Sequence, residues 1–557
     1  MHKQLRQICD TIILFKDVYH MKYFTIKKQL FLVPTAHMLE EYEKIDKFIR
    51  LLENSGVGKI IEYVKYKDKK CKGRNGYNPY NLFAAIIYCF AKFKGTLRDI
   101  EDKCKFDIRV NYIMEGKTPD YSSICLFINE YILPFQYEIF TLINKQIIKE
   151  LKLNIDNVYN DGTKFEANAN KYKFVWKPKK FHDKLDKKIK DFIVDIDANI
   201  EINEKEKIKA ERFNEILNNY VTLNNINIYD IPRGIGCKRT IQERKYILGF
   251  KYLTKLIEYE EKEEICGENR NSYFKTDHDA TAMVLKEDYY SKLSHDFHAG
   301  YNIQVMVSSL LVLMYGVFQD RNDYYTFIPM NDKFKKYYGF YPKNECADAG
   351  YGIYMNYQYI KNHKIGNYVK YQNWNGESSG KRPRLFKVNE NHNVICLNSK
   401  IGKECNTTSH SKMKDGNFFI FEGCNNCNYS YKCKSFMSEE NKQKNYRVKE
   451  ICIEYELFKD EAMKNLTSPK GIEIRINRSI QVEGTFGQIK QNMNYDRIRR
   501  KGINKASCEI MLMCLGINIR RYFNSLNNEK KFKNNCWNTP STLQSEIFPN
   551  VKQKKRD

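Results

Sequence analysis

HAGYNIQVMVSSLLVLMYGVF, residues 298–318, decides the fold. Two short apolar runs, Tyr301–Val307 and Leu310–Phe318, flank a serine pair. Both are rich in Val, Leu, Met and Tyr and bounded by polar residues, which reads as two strands. Downstream the pattern alternates. A helix is expected over Tyr324–Tyr338, a strand over Glu345–Asp348, a helix over Tyr351–Asn362 and a strand over Asn367–Tyr371. That order predicts a mixed α/β sheet. Upstream, NIDNVYNDGTKFEANANKYKFVW (154–176) adds a strand through Ile155, Val158 and Tyr159, running into Asp161-Gly162.

Outward from this core the chain changes character several times. Residues 38–150 read as short helices with tight turns. Leu39, Tyr42, Ile45, Ile49 and Leu52 fall at helical spacing, Pro79 opens an apolar helix, and Thr96 and Asp120 or Ser122 are N-cap candidates. Such a region fits a helix-turn-helix-like DNA-binding domain. Residues 178–298 are charged and expected to be a helical insertion. Residues 372–452 are polar and cysteine-bearing, residues 453–525 are helical again, and residues 1–37 and 526–557 form an extension and a basic tail. Lys and Arg number 94 against 68 Asp and Glu, a formal charge of +26. That excess favours nucleic acid as partner. A membrane is disfavoured, because the apolar stretches Leu82–Ala91 and Val305–Phe318 are too short to span one. The first residues carry no small-residue cleavage signal, so no signal peptide is expected. Seventeen cysteines scattered over a long chain fit a reducing cytoplasm.

Three carboxylates carry the chemistry. Asp161 and Asp348 are each expected at a strand end beside a small residue, and Glu483 lies on a late helix read from RSIQVEGTFGQIKQNMNYDRIRRKG, Arg478 to Gly502. Carboxylates converging at one sheet edge can hold two Mg²⁺ or Mn²⁺ ions about 3.5–4 Å apart and activate water or a 3′-hydroxyl against a phosphodiester. Asp-Gly after a strand is also ordinary turn chemistry. Lys490 lies two helical turns past Glu483, and Arg497, Arg499, Arg500 and Lys501 follow as phosphate contacts. Lys171 and Lys173 offer further backbone contacts. Trp176 could stack on a base, with core packing the plainer reading.

These segments in this order resemble the insertion-sequence DDE transposases with a ribonuclease-H-like core. The matching stretches are GRNGYNPYNLFAAIIYCFAKFKGTLRDIE, DGTKFEANANKYKFVW, HAGYNIQ, ADAGYG and RSIQVEGTFGQIKQNMNYDRIRRKG. The resemblance implies that Asp161, Asp348 and Glu483 are the catalytic, metal-holding triad. It matches Lys490 to the lysine of the family's last motif and Arg478 to its arginine. Arg478 stands one position further from Glu483 than the commonest spacing. It implies a core in two parts, 151–177 and 299–371, completed by 453–525. A β-rich insertion lies where the cysteines fall. It also implies a bacterial, cytoplasmic, nucleoid-associated enzyme that binds terminal inverted repeats and target DNA as a homodimer.

Within the insertion, Cys424 and Cys427 form a C-x₂-C step. With Cys433 and either Cys396 or Cys405 they make a candidate structural zinc set, free thiols being the alternative. His295 and His298 read as ordinary loop histidines, and Asp277 and Asp279 as caps of a following helix. Two other functions remain open: a non-catalytic, domesticated DNA-binding protein, and a stand-alone metal-dependent endonuclease.

Overall fold

The strand that opens the sheet is longer than its sequence predicts. β1 (Asn157–Glu166) continues through Asp161-Gly162 instead of turning there. The computed structural model describes residues 36–527, apart from 68–75, 286–296, 407–414 and the single positions 233, 235, 269, 436, 494 and 496. The terminal extension, the basic tail and His295 therefore lie outside the described residues.

β2 (Phe297–Ser308) and β3 (Leu311–Phe318) pair antiparallel across a two-residue loop. Ser309 and Leu310 both take positive φ, 48° and 66°. This is the loop conformation whose twist matches a hairpin, carried here by two residues that normally avoid it. Hydrogen bonds hold it in place. Ser309 Oγ donates to the Asn154 carbonyl at 2.5 Å, and the Leu310 amide donates to Gln481 Oε1 at 3.0 Å.

β4 (Asn344–Ala347) and β5 (Gly366–Val369) complete the main sheet in the order β3-β2-β1-β4-β5. β1–β4 and β4–β5 are parallel. The alternation expected from residues 298–371 is thus a mixed α/β sheet. β2 and β3 are buried almost throughout, as strands covered on both faces should be.

The N-terminal helices do not stand apart as a separate body. With the sheet from Asn302 onward and the C-terminal helices they form one compact unit, which among the described residues spans 36–165, 302–496 and 504–527. Helix Pro79–Lys92 starts where Asn78 accepts the Tyr80 amide, helix Leu97–Phe106 where Thr96 accepts that of Asp99, and helix Tyr121–Phe127 where Asp120 accepts that of Ser123. Helix Gln136–Leu151 lies against β3: Asn144 donates to the Val312 carbonyl at 2.9 Å, and Tyr137 stacks on Tyr315 at 4.9 Å. From the other direction Asn518, on helix Ile503–Asn527, brackets the Val312 peptide, donating to its carbonyl at 2.8 Å and accepting its N–H at 2.9 Å. Gly516 lets that helix touch the Phe90 backbone, where a Cβ would lie 2.5 Å from the carbonyl oxygen.

The second unit comprises residues 166–301 and 497–503. Helices Lys179–Ile196, Ala210–Leu223 and Ile241–Cys266 close on Ile189, Phe192, Phe213, Leu217, Leu253 and Leu256. Helix does not extend to residue 298. Strand Ser272–Phe274 pairs with Phe174–Trp176, and Thr281–Val284 pairs with the start of β2.

In the first unit, the cysteine-bearing stretch builds two small antiparallel sheets. Phe386–Val388 pairs with Val394–Cys396. Lys403–Glu404, Asn417–Glu422 and Tyr446–Ile451 form a three-stranded ladder. Phe386, Val394, Phe419, Phe421 and Ile451 give it its own core. Among the described residues no helix is long and apolar enough to cross a membrane.

Candidate active site

Strand register brings the two aspartates together. β1 and β4 pair Asn157 with Asn344, Val158 with Glu345 and Tyr159 with Cys346. The same parallel register carried two residues on sets Asp161 opposite Asp348. Asp161 therefore lies within a strand, beyond the point where the β4 ladder stops, and not at a strand end. Asp348 follows β4 directly, and its Oδ1 accepts the Gly350 amide at 2.8 Å.

One guanidinium faces both carboxylates. Arg478 Nη2 lies 2.9 Å from Asp161 Oδ2 and 4.0 Å from Asp348 Oδ2. The side chains of Asp161 and Arg478 are 17% and 12% exposed, against 44% for Asp348, so the pair is largely withdrawn from water. Burial pushes the Asp161 carboxyl up to about 6, against the pull of Arg478, with the neighbouring Asp348 and Asp323 charges adding to the rise.

Asp323 is the residue that sequence reasoning missed. It stands in a short turn of 3₁₀ helix after β3. Its Oδ1 accepts Asn302 Nδ2 at 2.8 Å and Gln304 Nε2 at 2.9 Å. Tyr351 donates its hydroxyl to Gln304 Oε1. So the YNIQ and DAGY segments interlock beneath the aspartates through buried amides. A Cβ on Gly162 would overlap Gln304 Nε2 and lie 2.9 Å from Asp323 Oδ1, so a larger residue after Asp161 must displace that network. An acid shortly after a buried strand was the available signal, and DRND carries two of them.

The late helix is not the single regular helix expected over Arg478–Gly502. Helix Pro469–Arg478 passes into a π-helical turn at Ser479–Glu483, an α-helical turn at Gly484–Gly487 and a second π turn at Gln488–Asn492. Residues 497–502 are not helical. A π turn spans one residue more than an α turn. The extra residue between Arg478 and Glu483 falls within the first π turn, which accounts physically for the long spacing. Glu483 is exposed. Among the described residues no hydrogen bond or ion pair joins it to either aspartate. Lys490 reaches back to β1, donating to Thr163 Oγ1 at 2.8 Å and to the Lys164 carbonyl at 3.1 Å.

No group of three or more His, Cys, Asp or Glu is arranged to hold a metal among the described residues. Cys396, Cys427 and Cys433 lie near enough to Cys424 to raise its thiol pKa, although burial is the larger cause, and Arg447 occupies the space at Cys433, donating to its carbonyl and to Sγ at 2.7 Å.

The remaining basic residues belong to the second unit. Ile498 donates its amide to the Glu166 carbonyl at 2.8 Å, Arg497 faces the Glu166 carboxylate at 3.7 Å, and Asn168 holds the Arg499 carbonyl at 2.7 Å. Lys171, Lys173, Arg497, Arg499, Arg500 and Lys501 thus belong to one unit, and Lys171, Arg497 and Lys501 line one cavity of about 620 Å³. Trp176 is not core: it is 68% exposed, with its ring edge-on to Phe174 at 4.9 Å. His298 is buried in β2. Asp277 and Asp279 precede a strand, not a helix, and accept the amides of Gly502 and Ile503 at 3.1 and 2.8 Å; Asp277 also accepts the Tyr301 hydroxyl.

Residues 395–523 match the family described as Transposase DDE domain. The matched stretch holds Glu483, Lys490 and the four cysteines, and both aspartates lie upstream of it. The match covers this C-terminal stretch and supports a likeness to transposases there. No curated protein and no solved structure matches the chain.

Proposed function

We propose that this chain is an insertion-sequence transposase that binds the terminal inverted repeats of its own element, cuts there and joins the freed ends to target DNA. The observation that carries this reading is the parallel register that sets Asp161 opposite Asp348 with a single cation between them. A guanidinium held by two carboxylates is a stand-in for a divalent ion, so the donor set fits one. Asp161 and Asp348 would hold it, with Glu483 as the third carboxylate of a ribonuclease-H-like core. The strand order β3-β2-β1-β4-β5 supports that fold reading. Bound there, Mg²⁺ or Mn²⁺, one ion or two, would supply Lewis acidity at the phosphodiester.

In the first reaction a water oxygen bonds to the scissile phosphorus and the P–O3′ bond breaks, leaving a 3′-hydroxyl and a 5′-phosphate. In the second that 3′-oxygen bonds to a target phosphorus and displaces the target's own 3′-oxygen, so no net phosphodiester bond is lost. The Asp323–Gln304–Tyr351 network fixes the backbone that bears both aspartates, and Lys490 braces β1 just beyond Asp161. Arg497, Arg499, Arg500, Lys501, Lys171 and Lys173 contact phosphates, and the exposed Trp176 is placed to stack on a base. The cysteine set is proposed as a structural zinc site that forms when the metal displaces Arg447. Two DNA ends call for a homodimer.

The test is cleavage and joining of a labelled duplex carrying the element's own end, with Mg²⁺ or Mn²⁺, comparing the wild type with Glu483→Gln. Nicking and joining by the wild type alone supports the reading. A second reading, a DNA-binding protein without catalysis, is favoured by the Arg478–Asp161 pair, which satisfies the buried acid without any metal. End binding by both proteins with no cutting by either would select it.

A further inference from the structure

Two cavities of the first unit share a wall. One, of about 690 Å³, begins at Ala349 and Lys370 beside Asp348 and runs past Trp374 to Lys381 and Arg382. The other, of about 830 Å³, continues from Asn373, Lys381 and Arg382 to Lys432 and Lys449 on the β-rich insertion. Asn373, Lys381 and Arg382 line both, so the two make one groove leading from the aspartate edge to the insertion.

The charge of this groove is one-sided for a structural reason. Glu377 and Glu456 lie in its wall, but both turn to Arg384, at 3.4 and 3.0 Å, which also pairs with Asp460. Lys459 takes a second oxygen of Glu456 at 2.6 Å. Three carboxylates against two cations leave that cluster with one negative charge. Glu450 is the remaining wall carboxylate, against the exposed Lys381, Arg382, Lys432 and Lys449. Lys370, at the aspartate end, lies over the Trp374 ring at 5.2 Å. At the far end Tyr431 is 70% exposed, with Lys432 over its ring at 5.5 Å. Spaced cations with an open aromatic face suit a strand whose bases are unpaired: phosphates meet the cations and a base stacks on the ring.

We infer that this groove carries a single DNA strand leading away from the scissile phosphate at Asp161 and Asp348, and that the β-rich insertion is its far anchor. The inference rests on reading those aspartates as the cutting edge. Lys381 and Arg382 hold phosphates midway, Lys432 and Lys449 hold them on the insertion, and Tyr431 stacks a base.

The test uses the full chain and a fluorescein-labelled duplex bearing the element's end, either blunt or extended on one strand by oligo-dT. Anisotropy is measured over a range of salt. The wild type is expected to bind one extended polarity more tightly than the blunt end. In Lys381→Ala/Arg382→Ala and in Lys432→Ala/Lys449→Ala that advantage disappears, and the log–log salt slope for the extended probe falls by about 1.4, from roughly 0.7 per lost single-strand contact. Tyr431→Ala loses part of the advantage with the slope unchanged, which separates stacking from charge without relying on a double variant. The inference is overturned if the wild type binds blunt and extended ends alike, or if both double variants keep slope and advantage. A wild type that cuts and joins ends yet shows no advantage removes the groove and leaves the reaction. One that shows the advantage but never cuts keeps the groove and removes the reaction.

Discussion

The aspartate edge of the sheet and the helix bearing Glu483 are two parts of one expected site, and they behave differently. Asp161 and Asp348 meet because parallel strands have a fixed register: three observed pairs determine the next two. Glu483 depends on helical phase, and phase is altered by each π turn. The first such turn, Ser479–Glu483, ends on the glutamate, which stands exposed, while Arg478 faces both aspartates. A sheet fixes relative position through many hydrogen bonds, whereas a helix can admit one extra residue and rotate everything after it. Gln481, tied to the β2–β3 hairpin, pins the first π turn in place.

The sharpest way to break this comparison is to compare the acids directly. Asp161→Asn and Asp348→Asn are expected to lower strand cutting on the order of a thousandfold, about 4 kcal/mol of barrier, and Glu483→Gln equally. Single-turnover cleavage assays decide it. If Glu483→Gln cuts like the wild type while the aspartate variants are inactive, the site has two carboxylates and the helix is only scaffold.

Arg478 comes next. Divalent-cation binding at Asp161 competes with its proton, so calorimetric affinity in the wild type should fall as pH drops below about 6. Arg478→Gln removes the positive charge that lowers this pKa, so the midpoint should move upward, by about 1–3 units, while affinity at high pH rises because no guanidinium must be displaced. An unmoved midpoint would detach Arg478 from the metal position.

Gly162→Ala tests the network under the aspartates. The added methyl meets Gln304 and Asp323, and chemical denaturation should show a loss of about 1–3 kcal/mol, typical of overpacking. The smallest effect concerns Glu345, fully buried on β4 and pushed up to about 8 by burial, against the hydrogen bonds from Asn331 and Asn160. Its folded pKa exceeds its unfolded one. The stability it retains is therefore complete below the unfolded value and is lost as pH rises through about 8. Glu345→Gln should cancel about 1 kcal/mol of the decline between about pH 7 and 9.

Much of this was legible in the residues. The β2–β3 apolar runs, the caps at Thr96 and Asp120, and the strand before Asp161 follow from local pattern, because propensity and periodicity act over a few residues. For Trp176 the plainer reading was core packing beside base stacking, yet it stands on a two-stranded ribbon and is 68% exposed. Asp277 and Asp279 looked like helix caps because a cap and a long-range clasp use the same acceptor atoms; their partners, Gly502 and Ile503, lie more than two hundred positions away. Asp323 gave no local sign that its amide partners would be Asn302 and Gln304.

The sequence by itself determined the alternating sheet, its helical flanks, the acids and a strongly basic chain, since side-chain spacing and charge are local or additive. Only the tertiary structure decided that Asp161 faces Asp348 across a register set by β1 and β4, and that Arg478 faces both. Those outcomes depend on strand pairing and helical phase, which arise from contacts between residues far apart in the chain.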